Sequence, residues 1–227
     1  MKTNGLPRST WLATLIALLT TLIWPALAQN PTVAERVTML KNTIAASKEA
    51  LRQYEWVEST VVTVGGKENW RKQERCTYGA DGRLAKVVLN QTSATEKKQE
   101  DLKLYMDKAI SLVRAYLPLD PDRILLAKNT DNVMLQPTER GKRARVIFRN
   151  YIASDDRLAL EVDLSNNRPV AGNVATHFDS AKDTVTVAAK FATLPDGTVY
   201  VSEAVLQAKK KKLTVNVQNS GHKKVSP

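Results

Sequence analysis

The chain has 227 residues, 34 lysines and arginines against 23 aspartates and glutamates, and a formal net charge of +11 at pH 7. Its only cysteine, Cys76, excludes an intramolecular disulfide, so the core must stabilise the fold. We expect Cys76 to be a buried apolar residue and not a reactive thiol. The basic charge favours anionic partners, although it also serves solubility alone.

The amino-terminal residues have the pattern of a secretory signal peptide. Lys2 and Arg8 form a basic start, residues 11–24 are mostly apolar and uncharged, and Ala26-Leu27-Ala28 is the small-x-small pattern of a cleavage site. The apolar run is shorter than the roughly 20 residues of a membrane-spanning helix. We therefore predict a signal peptide over residues 1–28.

The remainder of the chain, residues 29–227, has a length that fits one domain with a substantial core. We expect it to be exported to the periplasm or the extracellular space, to be soluble after cleavage, and to be a monomer.

An amphipathic helix is predicted over about residues 33–52, where apolar side chains recur at steps of three, four and seven. Thr32 with Glu35 forms a capping-box pattern that would begin this helix. Asn30 followed by Pro31 is an equally good cap with proline at the first helical position.

Three strands of a meander are predicted next, over residues 54–64, 68–78 and 84–90. They are rich in β-branched and aromatic residues. Gly65-Gly66 and Asp81-Gly82 mark the turns between them, because glycine adopts the positive φ of tight hairpin turns at little cost.

A second amphipathic helix is predicted through residues 102–116, with Ser93 and Glu96 as its capping box and Pro118 as its stop. Asp120-Pro121 then begins a short helix, because aspartate is a strong N-cap and proline is tolerated in the first turn.

The remaining residues are predicted to form strands and turns. The strands are expected at 133–136, 143–151, 158–164, 170–178, 184–191, 198–206 and 212–217. About ten strands and two long helices, without alternation of strands and helices, predict an α+β fold: a curved antiparallel sheet or half-open β-barrel covered by the two long helices.

This order of elements resembles the lipoprotein-carrier fold of the LolA type, an open β-barrel with helices in its mouth. The phrases Asp179-Ser180-Ala181-Lys182-Asp183, Leu194-Pro195-Asp196-Gly197 and Asn219-Ser220-Gly221 also look like those of a group of exported bacterial proteins of unassigned function. The resemblance implies a cavity for acyl chains and assigns no residue a role. Fold alone does not establish function.

Four aromatic residues of the meander, Tyr54, Trp56, Trp70 and Tyr78, are candidate ligand-binding residues. Tyr54 and Trp56 lie two positions apart in one strand, and Trp70 and Tyr78 lie an even number of positions apart in the next, so each pair faces one side of its strand. The Gly65-Gly66 hairpin sets the two strands side by side. They could line a cavity for a lipid or lipoprotein, or pack against the first helix.

The run Lys209, Lys210, Lys211 and Lys212 lies between the last two predicted strands. It is a candidate contact for an anionic membrane surface or an acidic partner. The alternative is a solvated turn that blocks edge-to-edge pairing.

No motif in the sequence predicts catalysis, a cofactor or a nucleic-acid partner. His177 and His222 are the only histidines and have no ligand spacing around them, so we predict no metal site. Glu161 and Asp163 share a strand face, which alternating solvent-facing charge explains. The leading hypothesis is a non-enzymatic protein that binds an apolar ligand. An interaction module acting through its basic surface is the alternative, and an exported hydrolase would require a polar cleft with convergent carboxylates.

Overall fold

The computed structural model describes residues 31–93, 100–129, 132–139 and 141–225. The predicted signal peptide lies outside these ranges. Within them, no helix combines the length and the apolar character needed to cross a membrane.

Within these ranges, three α-helices and two short 3₁₀ turns accompany the sheet. The α-helices are α1 (Val33–Ala50), α2 (Glu100–Tyr116) and α3 (Pro121–Lys128), and the 3₁₀ turns are Leu51–Gln53 and Lys209–Lys211. The two long helices and the short third one occur in the predicted order.

In the part of the chain that the structure describes, ten strands form one antiparallel sheet. They are β1 (Tyr54–Val64), β2 (Lys67–Tyr78), β3 (Leu84–Ser93), β4 (Val133–Glu139), β5 (Arg143–Arg149), β6 (Arg157–Asp163), β7 (Arg168–His177), β8 (Thr184–Thr193), β9 (Val199–Ala208) and β10 (Leu213–Lys224). Their spatial order is β3-β2-β1-β10-β9-β8-β7-β6-β5-β4, so the sheet is curved but not closed, with β3 and β4 at its edges. The predicted α+β half-open barrel is confirmed.

The helix starts follow local sequence chemistry. At α1 the Thr32 hydroxyl accepts from the Glu35 N–H at 3.2 Å, while the Glu35 carboxylate accepts from the Thr32 N–H at 2.7 Å, so the predicted capping box is confirmed. At α3 the Asp120 side chain accepts from the Asp122 N–H at 2.9 Å. Ser93, one member of the capping box predicted for α2, is the last residue of β3 and pairs in register with β2.

Glu96, the other member of that predicted box, lies outside the described residues. Strand β3 extends beyond its predicted end at residue 90 because β2 offers it a pairing partner along its whole length. Pairing with β2 therefore sets the end of β3, and the capping box of Ser93 and Glu96 stays a prediction.

One face of the sheet packs against the helices and forms a single core. Helix α1 contacts α3 and the strands β4, β7 and β9, and α2 contacts β9 and β10. Side chains alternate between the two faces of a strand, so every second residue points toward the helices. The largest fully buried side chains are Tyr116, Phe148, Leu40, Ile124, Leu158, Leu160, Leu206 and Leu213.

The last strand is twice as long as predicted. The prediction ended it at Val217, but β10 continues to Lys224. The polar phrase that suggested an end instead contains a β-bulge: Glu55 pairs with Lys223 and Val57 with Ser220, so two residues of β10 lie opposite Trp56. The bulge contains a glycine with φ of 68° and shifts the face of the residues that follow.

The turn between β5 and β6 is built on a buried carboxylate. Asp156 is 2% exposed and accepts hydrogen bonds from the N–H groups of Tyr151, Ile152 and Ala153 and from the Tyr116 hydroxyl of α2. Burial, and then this hydrogen bond, raise the pKa of Tyr116. One side chain therefore joins the turn to a helix.

Candidate functional site

A cavity of about 130 Å³ lies between the helices and the sheet. Its wall is largely apolar: Ile44 comes from α1, Val113 from α2, Phe191 from β8, Val201 from β9 and Val217 from β10. Because two helices and three strands supply these residues, the cavity is a property of the helix-on-sheet arrangement and not of a single loop.

A stack of aromatic rings forms the end of the cavity nearest the bulge. His222 lies parallel to Trp56, with ring centroids 5.7 Å apart and planes 9° apart, and it also contacts Tyr200 at 4.1 Å. The ring of Tyr78 is tilted against that of Trp56, with centroids 5.8 Å apart. The Trp56 Nε1–H donates to Asn219 Oδ1 at 3.0 Å, so its polar atom is satisfied while its ring faces the cavity.

His222 and Tyr200 were not predicted as site residues. Strict alternation along β10 would place His222 on the opposite face from Val217 and Asn219, but the bulge at Gly221 brings all three to the cavity. Burial lowers the pKa of His222, so the imidazole is neutral at pH 7 and contributes a ring without a charge. A glycine inside a polar strand end is the only sequence signal that could have indicated this.

The four predicted aromatic residues occupy different places. Trp56 and Tyr78 line the cavity. Trp70 lies opposite Val62, and Val62 is six residues, or about 20 Å, along β1 from Trp56. There it packs against the core and does not line the cavity. Tyr54 is also buried outside the cavity lining, with its ring near the β8–β9 turn.

Tyr54 joins β1 to the turn between β8 and β9. Its hydroxyl donates to the Asp196 carboxylate at 2.5 Å, and the Thr198 N–H donates to the same side chain at 3.1 Å. Lys224 Nζ lies 3.5 Å from Asp196 and 5.7 Å from the centre of the Tyr54 ring. The hydrogen bond to Asp196 raises the pKa of Tyr54 to about 12, and the hydrogen bonds from Tyr54 and Thr198 hold the pKa of Asp196 well below its usual range.

This arrangement predicts a pH dependence of stability. A carboxyl whose pKa is lower in the folded state stabilises the fold above its unfolded pKa of about 3.9, and this contribution is lost as the pH falls below that value. We expect the Asp196→Asn variant to lose less stability than the wild type between pH 5 and pH 2. Thermal unfolding at stepped pH measures this, with Asp81→Asn in an exposed turn as control. An identical loss of stability between pH 5 and pH 2 in the wild type and in Asp196→Asn would contradict the prediction.

The β1–β2–β3 side of the site carries charges that are already paired. Glu58, which lines the cavity, accepts from Lys86 Nζ at 2.5 Å. Glu74, directly opposite Glu58 in the sheet, lies 2.6 Å from Lys72 Nζ. Each carboxylate therefore has its own cation, and neither resembles a free acid or base facing a substrate.

Cys76 lies on the same face and is fully buried. Burial raises the pKa of its thiol to about 11, and the Sγ–H donates to the carbonyl oxygen of Glu74 at 3.9 Å. The expectation that Cys76 is buried is confirmed, and the raised pKa disfavours the reactive thiolate.

The lysine run forms a turn far from the cavity. Lys209–Lys211 is the 3₁₀ turn between β9 and β10, all four lysines are exposed, and Lys212 has a left-handed backbone with φ of 48°. Lys210 Nζ lies 3.6 Å from Asp183. The cavity is lined by the opposite ends of these two strands, so the two candidate sites are separate.

The other polar candidates do not converge. His177 Nδ1 lies 3.0 Å from the carbonyl oxygen of Phe178, and Glu161 pairs with Arg143 at 3.1 Å. Across the described ranges, no group of three histidine, cysteine, aspartate or glutamate side chains is placed to hold a metal ion.

Comparison with known proteins identifies similar solved structures only. No family model and no curated protein matches the chain. A DUF1329 family protein from Desulfovibrio piger matches at 8% identity and TM-score 0.45, covering 86% of this chain and 94% of its own. A putative outer membrane lipoprotein-sorting protein domain from Vibrio parahaemolyticus matches at 8% and 0.45, covering 85% and 94%.

A LolA superfamily protein from Nitrosomonas europaea matches at 13% identity and TM-score 0.37, covering 82% of this chain and 94% of its own. The matching structures thus include LolA-like proteins and a family of unassigned function, as the sequence resemblance predicted.

Proposed function

We propose that this chain is an exported, non-enzymatic binding protein that holds an apolar moiety, such as the acyl chain of a lipid or lipoprotein, in the cavity. The observation that carries the proposal is the apolar cavity between helices and sheet. A dry apolar cavity of roughly 150 Å³ holds a benzene-sized molecule. The cavity of this chain therefore suits the end of an acyl chain, with the remainder leaving through its mouth.

The composition of the wall supports binding over catalysis. A ligand pocket is typically apolar with a few polar groups that orient the ligand. Here the polar groups away from the mouth include the hydrogen-bonded Asn219, the neutral His222 and the paired Glu58. Glu58 is the only carboxylate in the described wall, whereas a hydrolytic site of the glycosidase type would require two.

Filling the cavity is expected to weaken binding of an apolar fluorescent probe while leaving the fold intact. Val201 lies in the wall on β9 and is half-buried, so a Val201→Trp side chain would occupy the cavity. Overpacking should lower the free energy of unfolding by about 1–3 kcal/mol. We expect the dissociation constant for the probe to rise at least about tenfold, which corresponds to about 1.4 kcal/mol.

Val205→Trp is the matched control. Val205 lies on the same strand between Ala204 and Leu206, which face the core, so its own side chain lies on the opposite face of the sheet. Probe titration and chemical denaturation on both variants test the proposal. Unchanged probe affinity in Val201→Trp, or absence of probe binding to the wild type, would overturn it.

The lysine turn supports a second candidate function, a protein-interaction or membrane-contact module of the cell envelope. Lys209, Lys211 and Lys212 are exposed and have no ion pair within the described part of the chain. If the protein acts through this turn, the Val201→Trp variant should still bind the partner. The complex should dissociate at high salt, because exposed charges are screened.

A further inference from the structure

Two cations at the mouth of the cavity have no partner within the described residues. Lys48 is in the last turn of α1 and Arg114 in the last turn of α2. Both side chains line the cavity and both residues are exposed, so they border its opening to solvent from two different helices. No ion pair or hydrogen bond to either side chain is found within the described ranges.

The surrounding charges are organised differently. Arg52, which follows α1, pairs with Glu49 at 3.2 Å. The carboxylate of the wall, Glu58, is neutralised by Lys86. The described cavity and its rim therefore present two uncompensated positive charges at the mouth and none deeper inside.

Because these cations lie in the last turns of their helices, they also stabilise the helices themselves. Basic side chains near a helix carboxyl end interact favourably with the helix dipole. That effect does not require the side chains to face the cavity, and it applies equally to Lys128 at the end of α3, whose Nζ donates to the Thr38 hydroxyl at 2.9 Å. The inference rests on the shared position of Lys48 and Arg114 at one apolar opening.

We propose that the ligand of this cavity is an amphiphile whose apolar tail ends in an anion, a carboxylate or a phosphate, which binds between Lys48 and Arg114. The tail enters the apolar wall, and the anion stays at the mouth, where it meets a point charge from the lysine and the planar, bidentate donor of the arginine. This inference rests on the proposed function and adds the chemical class of the head group.

Three ligands with twelve carbons each separate the contribution of the head group from that of the tail. Dodecanoate, dodecyl phosphate and dodecanol are each titrated against the protein carrying the apolar probe, at pH 7.5 and below the concentrations at which they form micelles. Two exposed charge contacts should make the better anion bind about three- to tenfold more tightly than the neutral alcohol. The preference should shrink in 1 M salt, where the screening length is about 3 Å.

A double variant assigns the preference to the two residues. Lys48→Gln with Arg114→Gln should remove the preference for the anion and leave dodecanol binding unchanged. Lys41→Gln with Lys103→Gln is the control: it removes two positive charges from the same two helices at positions that do not line the cavity. This control should keep the preference.

The outcomes separate the two proposals. Equal binding of dodecanol and both anions to the wild type, or an equal loss of preference in both double variants, overturns the head-group inference while the binding function stands. A wild type that binds neither the probe nor dodecanol overturns the binding function itself. Tightest binding of dodecyl phosphate supports the inference and indicates a phosphate head group. Tightest binding of dodecanoate supports it and indicates a fatty acid.

Discussion

The Asp156→Ala variant is expected to lose on the order of 4 kcal/mol of unfolding free energy. The carboxylate is 2% exposed and accepts four hydrogen bonds, three from successive backbone N–H groups of its own turn and one from Tyr116 on α2. Alanine leaves these donors without a partner in a place that water reaches poorly. Removing one partner from a buried polar group costs more than the hydrogen bond itself contributes.

The neighbouring Asp155 provides the control. It is exposed and has φ of 64°, a conformation that asparagine tolerates well, so Asp155→Asn removes the same charge from the same turn without strain. We expect this variant to change the unfolding free energy by less than about 0.5 kcal/mol. Urea denaturation measures both. A loss below about 1 kcal/mol in Asp156→Ala would show that the turn and α2 are held together in another way.

The Trp56→Ala variant is expected to lose both stability and binding. Trp56 is 8% exposed, stacks on His222, contacts Tyr78 and donates to Asn219. Truncating a buried tryptophan costs about 3–5 kcal/mol, and we expect the lower end because part of the ring faces the cavity. The dissociation constant for an apolar probe should rise at least about tenfold, because the ring is part of the wall.

Trp70→Ala separates binding from folding. Trp70 carries the same side chain on the adjacent strand but packs against the core about 20 Å along the sheet. We expect this variant to lose stability with no change in probe affinity. Denaturation and probe titration on both proteins decide the matter. If Trp56→Ala lost stability but bound the probe as tightly as the wild type, the cavity would not be the binding site.

Much of the fold follows from local patterns. The Thr32–Glu35 capping box and the glycine turn at Gly65-Gly66 depend on residues within a few positions of each other, and both occur where predicted. Alternation of apolar residues likewise predicted most strands to within a few residues, because alternate side chains must point to one face. These features need no knowledge of the distant chain.

The missed features depend on distant pairing. The true end of β10 and the position of His222 are set by the pairing of β10 with β1, residues more than 150 positions earlier in the chain. The distance between Trp56 and Trp70 is set by the register of β1 against β2. An odd or even position in a strand specifies only the face on which a residue lies. The cavity could be anticipated only as an implication of the resemblance, because its wall comes from helices and strands that meet only in the folded molecule.

The central place of β10 between β1 and β9 affects how the molecule can assemble. Because the ribosome releases the chain amino end first, strands β1 through β9 emerge before β10, the strand that pairs with both β1 and β9. Until β10 inserts, β1 and β9 each have a free edge that other chains could pair with. Joining strands so remote in sequence is entropically costly, so this step should set the folding rate, and a molecule lacking its final strand should aggregate instead of retaining a partial barrel.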